Sequence, residues 1–387
     1  MRVLLVAPQC PEPADIGLKT HLGFLLRTLA SEHSVDVVGF SASAEEDRNW
    51  QRVAGAWGFR LREVVRLRLG WELALERLRA LLRGEPVGVA HYRGRQAGRA
   101  VATAVADAPE WVIYYHYPTL QAGPLEAPSL LLPVDCYSLY YGRLARTDPR
   151  WWGRLKAGWL ARRFARWEAR TYSRFTAVAP VGEVDAAALR ELAPGANIQV
   201  LAVAAPPMPA RSAPEMARPA RVLVCGAFWM PAVEADTLRF LRGWKATAAE
   251  LIVWGRGASE ALRAATTAAG GRYVEWVDDY GAFLASGDIY VYPQRAAAGL
   301  QTKVQHAMGA GLAVVAVSEI LEALGVDSDL AAVAVEPAGM VAATLDLAAD
   351  RVRREAIGAA AREHVARHFA PEVVRAKLQQ LMAEVAR

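Results

Sequence analysis

The chain has 387 residues, of which 53% are hydrophobic and 22% charged, so it is globular rather than disordered and long enough for two domains. Its formal net charge of +5 suits anionic ligands or a membrane surface but requires neither. The first apolar run is too short for a signal-peptide core, and no window offers the roughly 20 uninterrupted apolar residues of a membrane span. We therefore expect a cytoplasmic protein that is at most peripheral to the inner face of a membrane.

The first half of the chain alternates buried strands with helices. The run "RVLLVAP" from Arg2 to Pro8 is continuously apolar, which is typical of a parallel strand covered on both faces. Helically spaced leucines in "LKTHLGFLLRTLASEH" and the strand "VDVVGF" complete a βαβ unit. Two more buried strands, "WVIYYH" and "SLLLPVD", follow. Cys10, Cys136 and Cys225 lack metal-ligand spacing and are predicted to be buried free thiols in a reducing compartment.

A second series of strands follows a Pro- and Ala-rich linker between Ala202 and Arg221. Its strands are predicted in "RVLVCGAF", "ELIVWGRG", "RYVEWVDD", "GDIYVYP" and "LAVVAV". The fold class is therefore α/β, with two doubly wound domains that bind ligands beyond the carboxyl ends of their strands. We place the domains at residues 1–204 and 205–370, and expect the helix at 371–387 to cross back to the N-terminal domain.

Two strand ends of the first domain carry candidate site residues. Gly17, in "ADIGLKTH", allows a close backbone approach before a helix N-terminus and so favours an anion such as a diphosphate. The alternative is an ordinary turn glycine. Asp135 stands where a buried strand opens into a loop, and its carboxylate is suited to a sugar or acceptor hydroxyl. The alternative for Asp135 is an N-cap of the next helix, a role that Ser138 could share.

The second domain offers three more candidate loops. Gly226 ends a strand in "VCGAF", and Gly255 with Arg256 repeats that design in "VWGRG"; either loop could seat a base or a ribose. In "VYPQRAAAGLQTKVQHAMGAGLAVVA", Arg295 leaves a strand and Lys303 lies in the first turns of a helix. Basic side chains at a helix N-terminus form a phosphate site, whereas a solvated surface lysine is the alternative.

At these residues the sequence resembles the nucleotide-binding half of glycosyltransferase family 4, whose members are retaining enzymes of GT-B fold. The matching positions are Val277, Asp278, Pro293, Arg295, Gly299, Lys303, Ala307, Met308 and Gly311. Two segments, "VLVCGAFWMPAVEADTLRFL" and "LLLPVDCYSLYY", are similar to the sequences of a subgroup associated with bacterial polysaccharide or glycoconjugate synthesis. The resemblance implies two Rossmann-like domains facing each other across a cleft, the first for the acceptor and the second for a nucleotide sugar.

The resemblance also implies roles for individual residues. Arg295, Lys303 and Gly17 would hold the diphosphate, so that no metal and no cofactor other than the donor substrate is needed. Asp135 would orient or deprotonate the acceptor hydroxyl. Together with the candidate loops at Gly226, Gly255 and Arg256, the donor contacts would come from Gly299, Gln301 and His306 of the resembling stretch. The acceptor is unknown, and a lipid-linked hydroxyl compound is one candidate.

Three positions depart from the family pattern. His306 replaces the glutamate that binds the ribose hydroxyls, Gln301 stands where the subgroup often has arginine, and His21 replaces a basic residue on the first helix. A neutral imidazole can still accept and donate one hydrogen bond each, so ribose binding can survive with lower affinity. The alternative is a catalytically silent relative that acts as a scaffold. A sugar-nucleotide epimerase would need more acids and histidines than His21 and His116.

Two basic segments are ambiguous. Residues 148–175 and 60–84 are rich in arginine and apolar residues, which is compatible with an anionic membrane surface or with ordinary domain helices. A helical apolar face in the first segment is predicted from Leu160, Phe164, Trp167 and Phe175. Neither segment carries a nucleic-acid-binding motif, so no nucleic acid partner is expected.

Overall fold

The computed structural model describes residues 1–14, 17–120, 128–211, 218–245, 249–295, 298–326 and 331–385. The strands are β1 (Arg2–Ala7), β2 (Ser34–Ser41), β3 (Arg60–Arg66), β4 (Trp111–Tyr115), β5 (Ser129–Leu132), β6 (Ala177–Val178), β7 (Arg221–Cys225), β8 (Glu250–Trp254), β9 (Arg272–Val274), β10 (Ile289–Tyr292), β11 (Ala313–Ala316) and β12 (Val333–Ala334).

The helices between them are α1 (Gly17–Glu32), α2 (Ala44–Trp57), α3 (Gly70–Leu82), α4 (Arg95–Ala106), α5 (Tyr137–Thr147), α6 (Trp151–Tyr172), α7 (Glu183–Leu192), α8 (Pro231–Gly243), α9 (Glu260–Ala268), α10 (Tyr280–Ala285), α11 (Thr302–Ala310), α12 (Ser318–Ala323), α13 (Met340–Ala349), α14 (Arg351–Phe369) and α15 (Pro371–Val385). Strand and helix thus alternate along most of the chain, as parallel sheets require.

The chain divides into two compact units, and neither unit is one continuous stretch. The first consists of Met1–Ser138, Leu160–Ala202 and Arg375–Arg387, and the second of Leu139–Trp159 and Val203–Val374. The domain boundaries expected at residues 204 and 370 stay predictions. They did not anticipate that each unit contains segments from more than one part of the chain. Periodicity in a sequence marks where an element begins, but it does not say which neighbours the element packs against.

Each unit is built on a six-stranded parallel sheet. The first sheet has the order β3-β2-β1-β4-β5-β6 and the second has the order β12-β11-β10-β7-β8-β9. Both orders reverse direction once, between β1 and β4 and between β7 and β10, which is the point where doubly wound sheets bind ligands beyond their carboxyl ends. The central strands are buried on both faces, as their unbroken apolar runs predict. The predicted pair of doubly wound α/β domains is confirmed.

The ambiguous basic segments are now assigned. Residues 60–84 contain edge strand β3 and helix α3, and Gly70, the first residue of α3, adopts a left-handed φ of 66° where the chain turns into the helix. In the other segment Phe164 and Trp167 of α6 are buried in the first unit, so this part of the predicted apolar face belongs to the core. Leu160 is only half-buried, and Phe175 is buried but follows the end of α6 at Tyr172, so these two do not complete the predicted face. None of the described helices is both long and apolar enough to cross a bilayer.

Two smaller predictions concern the cysteines and the last helix. All three cysteines are free and buried, as predicted. The last helix, α15, buries Leu378, Leu381 and Met382, and in the first unit its Gln379 side-chain amide donates to the Glu32 carboxylate at the end of α1 over 2.8 Å. Its residues from Arg375 onward belong to the first unit.

Candidate functional site

Gly226 and Gly255 follow neighbouring strands β7 and β8, and they allow the two loops to touch. The Gly226 amide donates to the Trp254 carbonyl over 3.1 Å, and the Gly255 amide donates to the Val274 carbonyl over 3.0 Å. Gly255 has a φ of 144°, and a Cβ there would overlap the Gly226 carbonyl oxygen. Glycine is therefore required here for the packing of one loop on the other. Arg256, predicted to contact the donor, is exposed with its guanidinium 4.0 Å from the centroid of the Trp276 ring.

Arg295 follows β10 and is held by an acidic residue that the sequence argument did not single out. Its backbone amide and its Nε donate to the Asp236 carboxylate over 3.0 and 2.9 Å. Asp236, on α8, is only 3% exposed and also accepts from Arg239 over 2.6 Å. The signal for Asp236 was an acidic residue on the buried side of a helix, beside Thr237 and Val233. The buried carboxylate fixes the Arg295 guanidinium in place before any ligand binds.

A cavity of about 200 Å³ lies beside Arg295 in the second unit. Its wall includes two arginines of α5 and two glutamates near α12 and β12; these are Arg143, Arg146, Glu319 and Glu336. Three guanidinium groups around a small cavity suit an anionic group of a ligand.

Gln301 braces the loop that precedes α11. Its side-chain oxygen accepts from the Tyr292 hydroxyl over 2.6 Å, and its amide nitrogen donates to the Ala298 carbonyl over 2.8 Å. Gly299, in the same loop, has a left-handed φ of 67°. Both polar ends of Gln301 are thus used within the protein, so the side chain shapes the loop from which α11 begins.

Lys303 is the second residue of α11, and its ammonium lies near one member of an aromatic group. Its ammonium lies 5.4 Å from the centroid of the Trp254 ring. Trp254 stacks on Tyr280 at 5.3 Å between ring centroids, and Tyr280 contacts the His306 ring at 5.7 Å. We call Trp254, Tyr280 and His306 the aromatic cluster. It brings together the end of β8, the start of α10 and the middle of α11.

Each residue of the aromatic cluster has a buried polar atom that lacks a partner. The indole nitrogen of Trp254, the Tyr280 hydroxyl and Nδ1 of His306 make no hydrogen bond to any described residue. Burial lowers the pKa of His306 to about 4, so its imidazole is neutral at pH 7. Buried polar groups are nearly always satisfied in native proteins, and leaving one unpaired costs about 1–3 kcal/mol. Three such atoms in one cluster could hydrogen-bond the hydroxyl groups of a polar ligand.

In the first unit Gly17 is the exposed first residue of α1. The first turn of α1 contains no acidic side chain, so nothing there opposes an anion at the helix N-terminus. Residues 15 and 16 of the predicted glycine loop lie outside the described residues. His21, the departure on this helix, is buried: its Nδ1 lies 3.1 Å from the Tyr115 hydroxyl, and burial lowers its pKa to about 4.

Asp135 follows β5 and keeps its carboxylate unpaired among the described residues. Burial and the neighbouring Asp185 carboxylate raise the pKa of Asp135 well above its ordinary value. The N-cap alternative is wrong, because other acids bind the amides at the start of α5. Glu168 accepts from the Tyr137 and Ser138 amides over 2.9 and 3.3 Å, and Asp185 accepts from the Cys136 amide over 2.6 Å. Asp135 therefore remains available to a ligand.

Two residues with positive φ stand at adjacent strand ends beside Asp135. His116, after β4, has a φ of 68°, and Val134, after β5, has a φ of 74°. Such a conformation in residues other than glycine costs about 1–3 kcal/mol and concentrates at functional sites. Nε2 of His116 lies 2.6 Å from the Tyr137 hydroxyl, and burial lowers the pKa of His116 to about 3. The sequence pointed to His116 only as a residue that an epimerase would need, because backbone strain leaves no mark in a single sequence.

Comparison with protein families decides the class of this chain. Residues 17–204 match the model of the glycosyl transferase 4-like domain, and residues 219–350 match the model named glycosyl transferases group 1. The two matches are consecutive and together take in most of the chain. The chain is a glycosyltransferase. A search of curated proteins found no significant sequence relative of this glycosyltransferase.

Solved structures share its fold at low sequence identity. Sucrose-phosphate synthase from Thermosynechococcus elongatus has a TM-score of 0.69 at 14% identity, over 100% of this chain and 99% of that one. Anabaena Alr3699/HepE in complex with UDP and glucose has a TM-score of 0.65 at 12% identity, over 99% and 100%. WaaG, a glycosyltransferase involved in lipopolysaccharide biosynthesis, has a TM-score of 0.63 at 11% identity, over 99% of both chains. These similarities confirm the GT-B fold class of the glycosyltransferase.

The predicted site residues of the glycosyltransferase fall into two groups. The second unit holds most of them around the carboxyl ends of β7, β8 and β10: Gly226, Gly255, Arg256, Arg295, Gly299, Gln301, Lys303 and His306. The first unit holds Gly17 and Asp135, at the start of α1 and after β5. Sequence reasoning missed Asp236, the aromatic partners of His306, and the two acids at the start of α5.

Proposed function

We propose that the glycosyltransferase moves a sugar from a nucleoside diphosphate sugar to a hydroxyl acceptor with retention of configuration. The observation that carries this proposal is the aromatic cluster: its three buried polar atoms have no partner among the described residues, and its Trp254 ring lies 5.4 Å from the Lys303 ammonium in the first turn of α11. A nucleotide offers both kinds of partner, because its ribose hydroxyls hydrogen-bond and its diphosphate is anionic. UDP appears in the complex of the HepE structure, which supports a nucleotide donor here.

In the proposed complex His306 binds the ribose where the family pattern has a glutamate. Its neutral imidazole makes ordinary hydrogen bonds, which are about half as strong as those of a carboxylate. We therefore expect a donor affinity lower than a glutamate would give. Nδ1 of His306 is the atom for this contact, because it is buried and unpaired among the described residues.

Lys303 and Arg295 would stabilise the diphosphate as it leaves. The bond between the anomeric carbon and the diphosphate oxygen breaks, and the acceptor oxygen bonds to that carbon from the same face, so the configuration is retained. The developing negative charge is stabilised by the two cations without any bond to the protein. Arg295 is already oriented by Asp236, so little reorganisation is needed at this step.

Asp135 would orient the acceptor hydroxyl or accept its proton. Its carboxylate has no hydrogen-bond partner among the described residues, and burial raises its pKa, which makes it a stronger base toward a hydroxyl proton. The acceptor we propose belongs to bacterial glycan, glycolipid or secondary-metabolite synthesis. A lipid-linked acceptor would bring the enzyme to the inner face of a membrane. The role of WaaG in lipopolysaccharide biosynthesis supports this context.

A thermal-shift screen of the purified protein with UDP, GDP, dTDP, CMP and ADP tests the proposal. A nucleotide at about a hundred times its dissociation constant stabilises the native state by roughly 2.7 kcal/mol, which raises Tm by several degrees. The variant His306→Ala should lose part of that shift, with a dissociation constant raised about 2–10-fold, because one neutral hydrogen bond contributes roughly 0.5–1.5 kcal/mol. The exposed His368→Ala is the control.

The outcomes separate the two functional hypotheses. One nucleotide that shifts Tm in the wild type and less in His306→Ala would support donor binding at the aromatic cluster. A flat response to all five nucleotides would favour the catalytically silent scaffold. An equal shift in the wild type and His306→Ala would place the nucleotide elsewhere.

A further inference from the structure

Helix α3 turns an apolar stripe toward solvent. Trp71, Leu75, Leu78 and Leu82 recur at the i, i+4, i+7 and i+11 positions of one helical face, and their exposed fractions run from 39% to 79%. We call these four residues the α3 ridge. The buried residues of the helix, Leu73 and Ala80, lie on the opposite face. A helix on a water-soluble surface normally places its apolar stripe inward, so this orientation needs a partner outside the protein.

The helix that carries the ridge is fixed at its C-terminus. Arg163 of α6 donates from Nη2 to the carbonyls of Ala80, Leu81 and Glu85 over 2.8, 2.9 and 2.8 Å. These bonds satisfy carbonyl groups that a helix end leaves open. The Arg163 guanidinium binds backbone atoms of α3 and its following turn. Substitutions of the ridge side chains should therefore leave the orientation of α3 unchanged.

A basic cavity of about 250 Å³ adjoins the start of α3. It lies at the carboxyl ends of β2 and β3, and its wall includes Leu69, Glu72 and the three arginines Arg66, Arg68 and Arg93. Arg68 pairs with Glu72 at 3.3 Å, Arg66 with Asp47, and Arg93 with Glu85. The Nε of Arg93 is buried and has no hydrogen-bond partner among the described residues. The cavity therefore has spare guanidinium donors for an anion such as a phosphate.

The net positive charge around the α3 ridge favours an anionic partner. From Arg60 to Arg83 the chain has seven arginines and three glutamates. A second copy of the chain would bring like charges together, whereas an anionic lipid surface is complementary in charge and offers an apolar layer to the ridge.

We propose that α3 lies in the interface of an anionic membrane, with the α3 ridge against the acyl chains and a lipid phosphate in the arginine cavity. The proposal deepens the proposed function, because membrane binding would bring the enzyme to a lipid-linked acceptor. It rests on the proposed function for that biological role. Its evidence is independent of the aromatic cluster, since all the residues that carry it belong to the first unit.

Sedimentation of the full chain with lipid vesicles tests the proposal. The vesicles are phosphatidylcholine alone or an equal mixture of phosphatidylcholine and phosphatidylglycerol. We expect binding to the mixed vesicles that is at least tenfold stronger than to phosphatidylcholine and that weakens as salt rises. Leu75→Gln with Leu78→Gln should lower that binding at least tenfold. Arg68→Gln should lower it less, because one charge is removed.

The matched control is Val352→Gln with Val373→Gln, two exposed apolar residues of α14 and α15, which should bind as the wild type does. Circular dichroism checks that every variant is folded. Failure of the wild type to sediment with mixed vesicles, or equal binding by the ridge variant, overturns the proposal. A wild-type dimer that the ridge variant converts to a monomer would instead assign the ridge to a second copy. Vesicle binding without any nucleotide response would leave this inference standing and reject the proposed function.

Discussion

At the scale of single residues, Lys303 is the side chain on which the proposed chemistry depends most. It stands in the first turn of α11, where a cation opposes the helix dipole, and it faces the Trp254 ring. This unfavourable position is compensated if an anionic diphosphate binds there. The residue is thus better placed for a ligand than for the stability of the free protein.

Lys303→Ala should lower kcat by about 10²–10³, the usual effect of removing one group that stabilises developing charge. The measurement is the rate of sugar transfer, or of donor hydrolysis, with the nucleotide sugar that the screen identifies. Lys377→Ala, on the exposed side of α15, is the control and should be unchanged. Near-normal turnover by Lys303→Ala would remove this lysine from the mechanism.

Glu168 gives a pH-dependent prediction. Burial raises its pKa to about 7, whereas the carboxyl of the unfolded chain titrates near 4.5. Between these values the native state keeps a proton that the unfolded chain has released, so this group's contribution to stability falls as pH rises from 4.5 to 7. Glu168→Gln cannot titrate. The Tm of the wild type relative to that of Glu168→Gln should therefore be highest near pH 5 and should fall toward pH 8.

The wild type must be compared with Glu168→Gln because buried histidines change the pH dependence of stability in the opposite direction. His21, His116 and His306 have pKa values lowered to about 4, 3 and 4, so each favours the native state more as pH rises through 6.5. Their contribution is the same in both proteins and cancels in the difference. A difference in Tm that stays constant with pH would show that Glu168 is ionised throughout.

At the scale of elements, the loops after β7 and β8 depend on glycine. Gly255→Ala places a Cβ against the Gly226 carbonyl at a φ that alanine rarely adopts. We expect it to lower the free energy of unfolding by more than about 2 kcal/mol, since strain and overpacking each cost roughly 1–3 kcal/mol. Gly55→Ala, inside α2 where an added Cβ meets nothing, should instead stabilise by about 0.5–1 kcal/mol. Urea unfolding of both variants provides the comparison.

Elements with an unbroken apolar run could be predicted from the sequence. β1, β7 and β10 are buried on both faces, so nearly every residue carries the signal. β3 could not be recognised, because it is an edge strand whose residues alternate with arginines and continue into α3. The helical spacing of α3 gave no sign that its apolar stripe faces solvent, since periodicity shows that a stripe exists and not where it points.

The candidate site was predictable where the chemistry is local to one loop. Arg295, Gly299 and Lys303 lie close together in sequence, so one short segment was enough to predict a phosphate site. Asp236 and Tyr280 come from other elements and reach this region only in the folded chain. Glu168 was visible as an acid on an apolar helical face beside Phe164 and Trp167, but its partners, the amides of α5, could not be inferred.

At the scale of the whole molecule, the last helix completes the first unit. Leu381 is buried, and Gln379 on the same helix bonds Glu32. Leu381→Ala should lower the free energy of unfolding by about 2–5 kcal/mol and Tm by several degrees. Val373→Ala, at an exposed position of the same helix, should stay within about 0.5 kcal/mol of the wild type. Equal Tm values for the two variants would show that α15 adds little to the stability of the first unit.

The discontinuous first unit has a consequence for synthesis of the protein. Its final piece, Arg375–Arg387, is translated after every residue of the second unit. A nascent chain can therefore build most of the first sheet early, but the surface that receives Leu378 and Leu381 stays open until α15 has been synthesised, after the whole second unit. During that interval the incomplete unit exposes apolar surface, and it is then that a chaperone would have most to bind.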